Sequence, residues 1–87
     1  FSKNEYLYMS NPKENNVYFE FVIINVDANK EIFKSDMVPP DKALPVNLYD
    51  LLGSGITNIK VLVNTYDIET MEPCTQFNND NIKVTIK

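Results

Sequence analysis

Eighty-seven residues make a single domain, somewhat below the usual size of about 100–150 residues, and 44% hydrophobic content sets the chain among folded proteins rather than disordered ones. Its charge is acidic, −4 overall, and all eight basic residues are Lys, with no Arg, His or Trp. A chain without Arg or a basic face is a poor partner for nucleic acid or for anionic membrane surfaces, and a domain this small holds one core but not a core plus a deep ligand cavity.

Apolar residues alternate along the chain with period two and sustain no helical period. Tyr6 to Met9 reads as a short first strand, with residues 1–10 otherwise a loosely ordered leader, and Asn11 to Asn16 as a turn cluster around Pro12. Val17, Phe19, Phe21 and Ile23 share one face of a strong strand, with Tyr18, Glu20, Val22 and Ile24 on the other. Apolar residues on both faces predict a strand central in its sheet.

Asp27-Ala28-Asn29-Lys30 predicts a hairpin turn, and Glu31 to Ser35 the returning strand. Pro39-Pro40 sets Asp36 to Lys42 at an edge or in a loop crossing between sheets, because proline donates no ladder hydrogen bond. Ala43 to Leu48 alternates again, with Leu44, Val46 and Leu48 inward, and Tyr49 to Gly55 holds the only two glycines, as a loop or one helical turn.

Ile59, Val61 and Val63 form the inner face of a second strong strand ending near Tyr66. Asp67 to Thr75 reads as a polar loop stopped by Pro73, Gln76-Phe77 as a brief pairing, and Asn78 to Asn81 as a turn. Ile82, Val84 and Ile86 against Lys83, Thr85 and Lys87 give a half-buried last strand. Residues 1–87 are therefore expected to form one all-β domain, an antiparallel two-sheet sandwich of six to seven strands, with a small closed barrel as the competing architecture. Phe19, Phe21, Ile23, Val61, Val63, Val84 and Ile86 are its expected core.

The chemistry-bearing residues are few. Ser–His–Asp or Cys–His catalysis needs a base that titrates near neutrality, and the chain has no His. One cysteine, Cys74, makes no internal disulfide and, with no His, no zinc or copper site. Asp67, Glu69 and Glu72 lie close in one loop, where solvation is the simpler reading than a glycosidase pair across a cleft. Asn78, Asn79, Asp80 and Asn81 offer oxygen atoms to calcium, but without the spacing of an EF-hand an Asx-rich turn is the simpler reading. Tyr6, Tyr8, Tyr18, Tyr49 and Tyr66 offer a stacking surface for sugars or a partner, against the commoner outcome of cross-strand packing. An internal Lys–Asn isopeptide bond, drawn from Lys3 or Lys13 with Asn81 and Glu20, is the least favoured of these readings, and an intact mass equal to the unmodified sum would exclude it. No catalytic, cofactor-binding or metal-binding residue is assigned, and no cofactor is expected.

Twelve Asn beside abundant Lys, Ile and Tyr is the composition of an AT-rich genome, and a start at Phe1 rather than Met reads as a piece of a longer or processed protein. The longest apolar stretch, Val17 to Val26, is interrupted by Glu20 and Asn25 and is too short to span a bilayer. Asn11-Pro12, the aromatic run Tyr18-Phe19-Glu20-Phe21, Ile32-Phe33-Lys34-Ser35 with Pro39, and Gly55 followed by a strand ending Tyr66-Asp67-Ile68-Glu69-Thr70 resemble small immunoglobulin-like β-sandwich domains of Firmicutes surface-exposed proteins. The resemblance spans about Asn11 to Lys87, but Ala28-Asn29, Pro39-Pro40 and Ile56-Thr57 stand where that pattern favours glycine, Pro-Gly and a tyrosine. It implies an extracellular or cell-surface module, a spacer or a surface for protein–protein contact. The alternatives are a carbohydrate-binding module using Tyr and Asn, or an accessory domain of a larger enzyme. The partner is a protein or a glycan, not nucleic acid, and the domain itself does not insert into a membrane.

Overall fold

The computed structural model describes residues 1–78 and 82–87 in full; of residues 79–81 only membership of the last strand is described. Among the described residues the chain forms six strands and one short helix: β1 (Leu7–Asn11), β2 (Val17–Asn25), β3 (Lys30–Lys34), β4 (Lys42–Val46), α1 (Leu48–Leu52), β5 (Gly55–Asp67) and β6 (Pro73–Ile86). They build two antiparallel sheets, one of four strands in the order β3-β2-β5-β6 and one of two, β1-β4. The fold is the expected all-β two-sheet sandwich. The second sheet has half as many strands as the first, and Leu48 with the half-buried Leu51 and Leu52 of α1 packs in the same core.

Alternation in sequence sets which side chains meet between the sheets. Phe21 and Ile23 from β2, Ile59 and Val61 from β5, and Val84 and Ile86 from β6 are buried together with Met9, Val38, Val46 and Leu48. Phe19 and Val63, expected inside, are half-buried and packed against this cluster, and the Phe19 and Phe21 rings meet edge to face at 5.8 Å. β2 is central as its two apolar faces required, paired with β3 on one side and β5 on the other.

The Asp27–Lys30 hairpin forms as predicted, with Asn29 at φ 52°, a left-handed angle that Asn tolerates. The segment after β3 carries the chain to the second sheet, and on the way Val38 bridges Phe19 through two backbone bonds of 3.0 and 2.7 Å. The expected loop at Tyr49 contains α1, capped by the Asn47 side chain, which accepts from Asp50 N–H, and ended at Gly53, where φ is 73°.

Two readings of local sequence are corrected. Asn11 is not a turn residue but the last residue of β1, and it is buried. Its amide donates to the carbonyls of Val17 and Val38, both at 2.9 Å, while its oxygen accepts from Asn15 Nδ2. These bonds tie β1, β2 and the crossing segment, and they satisfy a side chain that burial would otherwise penalise. Second, Pro73 does not close a long loop but opens β6; the connection is only residues 68–72. Proline is tolerated as the first residue of an edge strand, where its missing N–H breaks no ladder. The expected turn at Asn78–Asn81 falls largely on residues 79–81, outside the fully described ones, while Asn78 pairs with Leu62.

Candidate functional site

β6 is the edge of the larger sheet, and the hydrogen-bond register shows which of its groups face outward. Phe19 and Phe21 bond away from β5, to Val38 and Ser35. Ladder bonds alternate sides along an antiparallel strand, so Glu20 and Val22 of β2 bond to Asn64 and Leu62 of β5. Val63 therefore bonds to Phe77 of β6, and the backbone groups of the flanking Gln76 and Asn78 point away from the sheet. The register shift between Ile59 and Val61 reverses the parity toward the far end of β6. There Thr85 and Lys87 point outward and meet Phe1, whose amine donates to the Thr85 carbonyl at 2.6 Å and whose carbonyl accepts from Lys87 N–H at 2.7 Å.

A polar row crosses the outer face beside this edge. Asn64 Nδ2 donates to Glu20 Oε1 at 3.0 Å, and Gln76 Nε2 donates to Asn64 Oδ1 at 2.7 Å, joining β2, β5 and β6. Next to it the ladder is irregular, with an extra β6 residue between Gln76 and Pro73. The buried Thr65 hydroxyl bridges that irregularity, donating to the Thr75 carbonyl and accepting from Thr75 N–H, both at 2.8 Å. The bulge opens a shallow cleft of about 330 Å³, bounded by Asn64, Tyr66, Pro73, Cys74 and Gln76.

The side chains singled out in sequence are placed as follows. Asp67 shapes the β5–β6 turn: its Oδ1 accepts from the N–H groups of Glu69 and Thr70 at 2.8 and 3.0 Å. Those bonds, Thr70 first, hold its carboxyl below the usual carboxylate range. Glu69 and Glu72 are exposed in the same turn, and Glu69 lines a shallow cleft of about 320 Å³ with Asn16, Asp67 and Ile68. Cys74 is free and exposed, its thiol 3.6 Å from the Glu72 carbonyl. Tyr6 and Tyr8 are exposed, with ring centroids 6.5 Å apart and planes tilted by 47°; Tyr18, Tyr49 and Tyr66 are half-buried. Lys3 and Lys13 are exposed near the N-terminus, Glu20 is bonded to Asn64 on the outer face, and Asn81 lies outside the fully described residues, so the isopeptide set is not assembled among the described residues. Of the calcium candidates only Asn78 is fully described, and it is exposed on β6.

Sequence reading missed Asp27 as an organising group. Its two carboxylate oxygens accept from Asn58 N–H at 3.0 Å and from Asn58 Nδ2 at 3.1 Å, which clamps the β2–β3 hairpin to β5 and lowers the Asp27 pKa, the backbone bond contributing most. Among the described residues no three His, Cys, Asp or Glu side chains gather as a metal-holding group, and no helix is long and apolar enough to cross a membrane. No protein-family profile, curated protein or solved structure matches the chain.

Proposed function

We propose that the domain is a non-catalytic, immunoglobulin-like module of a bacterial surface protein, extracellular, working through protein–protein contact. The observation that carries the reading is the open edge of β6, where Gln76 and Asn78 present backbone donors and acceptors beside the exposed Phe77. Such an edge is a template for another polypeptide. Contact is favoured over a serial spacer because Phe1 and Lys87 are backbone neighbours: a chain entering and leaving there does both at one end of the sheet. The remaining large exposed apolar residues, Tyr6, Tyr8, Ile56, Ile68, Met71 and Ile82, are spread over both sheets and the β5–β6 turn. That spread argues against a single face bared by removal of a neighbouring enzyme domain. An alternating, Arg-free and Asn-rich composition and the resemblance to Firmicutes surface domains support the location.

The carbohydrate reading rests on Tyr6 and Tyr8, but rings tilted by 47° do not make the flat platform on which sugars stack. Probing a displayed peptide library and a glycan array with the same biotinylated domain separates the two. Enrichment of polypeptides, with no glycan above background, is expected. Glycan binding that Tyr6→Ala and Tyr8→Ala abolish, with no polypeptide enriched, contradicts the reading.

A further inference from the structure

We propose that the Gln76–Asn78 stretch of β6 takes up an extended apolar polypeptide segment flanked by basic residues, adding it to the larger sheet as a fifth strand. The inference deepens the protein-contact reading above and rests on it. Four observations converge. The outward backbone groups of Gln76 and Asn78 recur every second residue, about 7 Å apart, which matches the donors and acceptors of another extended chain and of few other ligands. The same edge already accepts added backbone at its other end, where the amine and carbonyl of Phe1 bond to Thr85 and Lys87.

The six residues Pro73 to Asn78 carry no charge, so the usual lysine that blocks edge-to-edge pairing is missing from this stretch. Side chains of an added strand alternate between the two faces, and each face has something to receive them. On one face Phe77 is 56% exposed beside the half-buried Val63. On the other lies the cleft of about 330 Å³ between Tyr66, Cys74 and Gln76.

Charge selects the partner. Between Lys60 and Lys83 the sequence holds Asp67, Glu69, Glu72 and Asp80 and no basic residue. Asp67, Glu69 and Glu72 stand in the turn where this edge begins, so a strand lying on Gln76 and Asn78 ends against carboxylates and is favoured there by Lys or Arg. A second copy of the chain is disfavoured by the same charges, since pairing two β6 edges brings two acidic turns of a −4 protein to one short ladder.

The test is fluorescence anisotropy of the whole domain with a fluorescein-labelled Val-Thr-Val-Ile-Val-Lys-Lys peptide and its Glu-Glu-ended counterpart. Saturable binding of the Lys-ended peptide is expected, weakening as salt rises and about tenfold or more tighter than the Glu-ended one. Gln76→Pro removes one outward N–H at a position where an edge strand tolerates proline. It is expected to weaken binding about tenfold with the melting temperature retained; Asn78→Pro serves if Gln76→Pro melts early. Glu69→Gln with Glu72→Gln is expected to flatten the salt dependence. Absence of saturable binding, equal affinity for both peptides, or indifference to both proline variants overturns the proposal. So does a sedimentation profile showing self-association that Gln76→Pro abolishes, which assigns the edge to a second copy. Polypeptides enriched from the display library but indifferent to Gln76→Pro leave the protein-contact reading standing and remove only the edge.

Discussion

The N–H of Lys87 donates to the carbonyl of Phe1 at 2.7 Å, so the first and last residues of the chain lie side by side at the end of β6. That bond and its companion, from the Phe1 amine to Thr85, close one end of an edge strand whose other end stays open. The contrast between the two ends links the fold to the proposed function, because the strand offers the same alternating groups at both.

Phe21 is buried on β2, packed edge to face against Phe19 and next to Ile23 in the core. Phe21→Ala removes a ring from the cluster that joins the two sheets and is expected to cost about 3–5 kcal/mol. Urea unfolding followed by circular dichroism measures it, and a curve superimposable on the parent's contradicts the assigned facing of β2.

The buried Asn11 side chain, on β1, bonds both β2 and the crossing segment. Asn11→Ala leaves the Val17 and Val38 carbonyls without that donor and is expected to cost about 1–3 kcal/mol. Asn11→Asp, which keeps the shape and loses the donor, is expected to be no better at neutral pH. Thermal unfolding of both variants checks the pair.

Thr65→Val keeps the volume at the β5–β6 bulge and removes the hydroxyl that both donates to and accepts from Thr75. A loss of about 1–2 kcal/mol is expected, and Thr65→Ser is expected to retain most of the stability. Equal melts for the Val and Ser variants contradict the bridging role.

Asp27 gives stability a pH dependence of defined sign. Its carboxyl is held below the ordinary value by the Asn58 N–H and then the Asn58 amide, so the charged form is the one the fold favours. That contribution is fully present above about pH 4, the unfolded value, and is lost as pH falls through the lower folded value. The melting temperature of the parent is expected to exceed that of Asp27→Asn by a constant margin from neutrality to about pH 5, and the margin to shrink below about pH 4. A margin that widens on acidification contradicts the clamp.

What could be read from sequence was what lies in local alternation. Val17, Phe19, Phe21 and Ile23, with apolar residues on the opposite face too, sufficed to make β2 central, and Ile82, Val84 and Ile86 to mark the last strand. What could not be read depends on partners far along the chain. Asn11-Pro12 carries turn chemistry, yet burial against Val38 draws Asn11 into a strand. Pro73 reads as a stop, yet pairing with β5 makes it the start of β6. The five tyrosines look equivalent in sequence, and only their places in the sheets separate the exposed Tyr6 and Tyr8 from the others. The Glu20–Asn64–Gln76 row and the open edge beside it exist only once β2, β5 and β6 are in register.

The openness of β6 is tested most directly by amide hydrogen exchange of the free domain, residue by residue. Slow exchange at Phe77 between fast exchange at Gln76 and Asn78 is expected, with Lys87 slowed by its bond to Phe1. Gln76 and Asn78 protected as well as Phe77 in the free, monomeric domain contradicts the open edge and the function built on it.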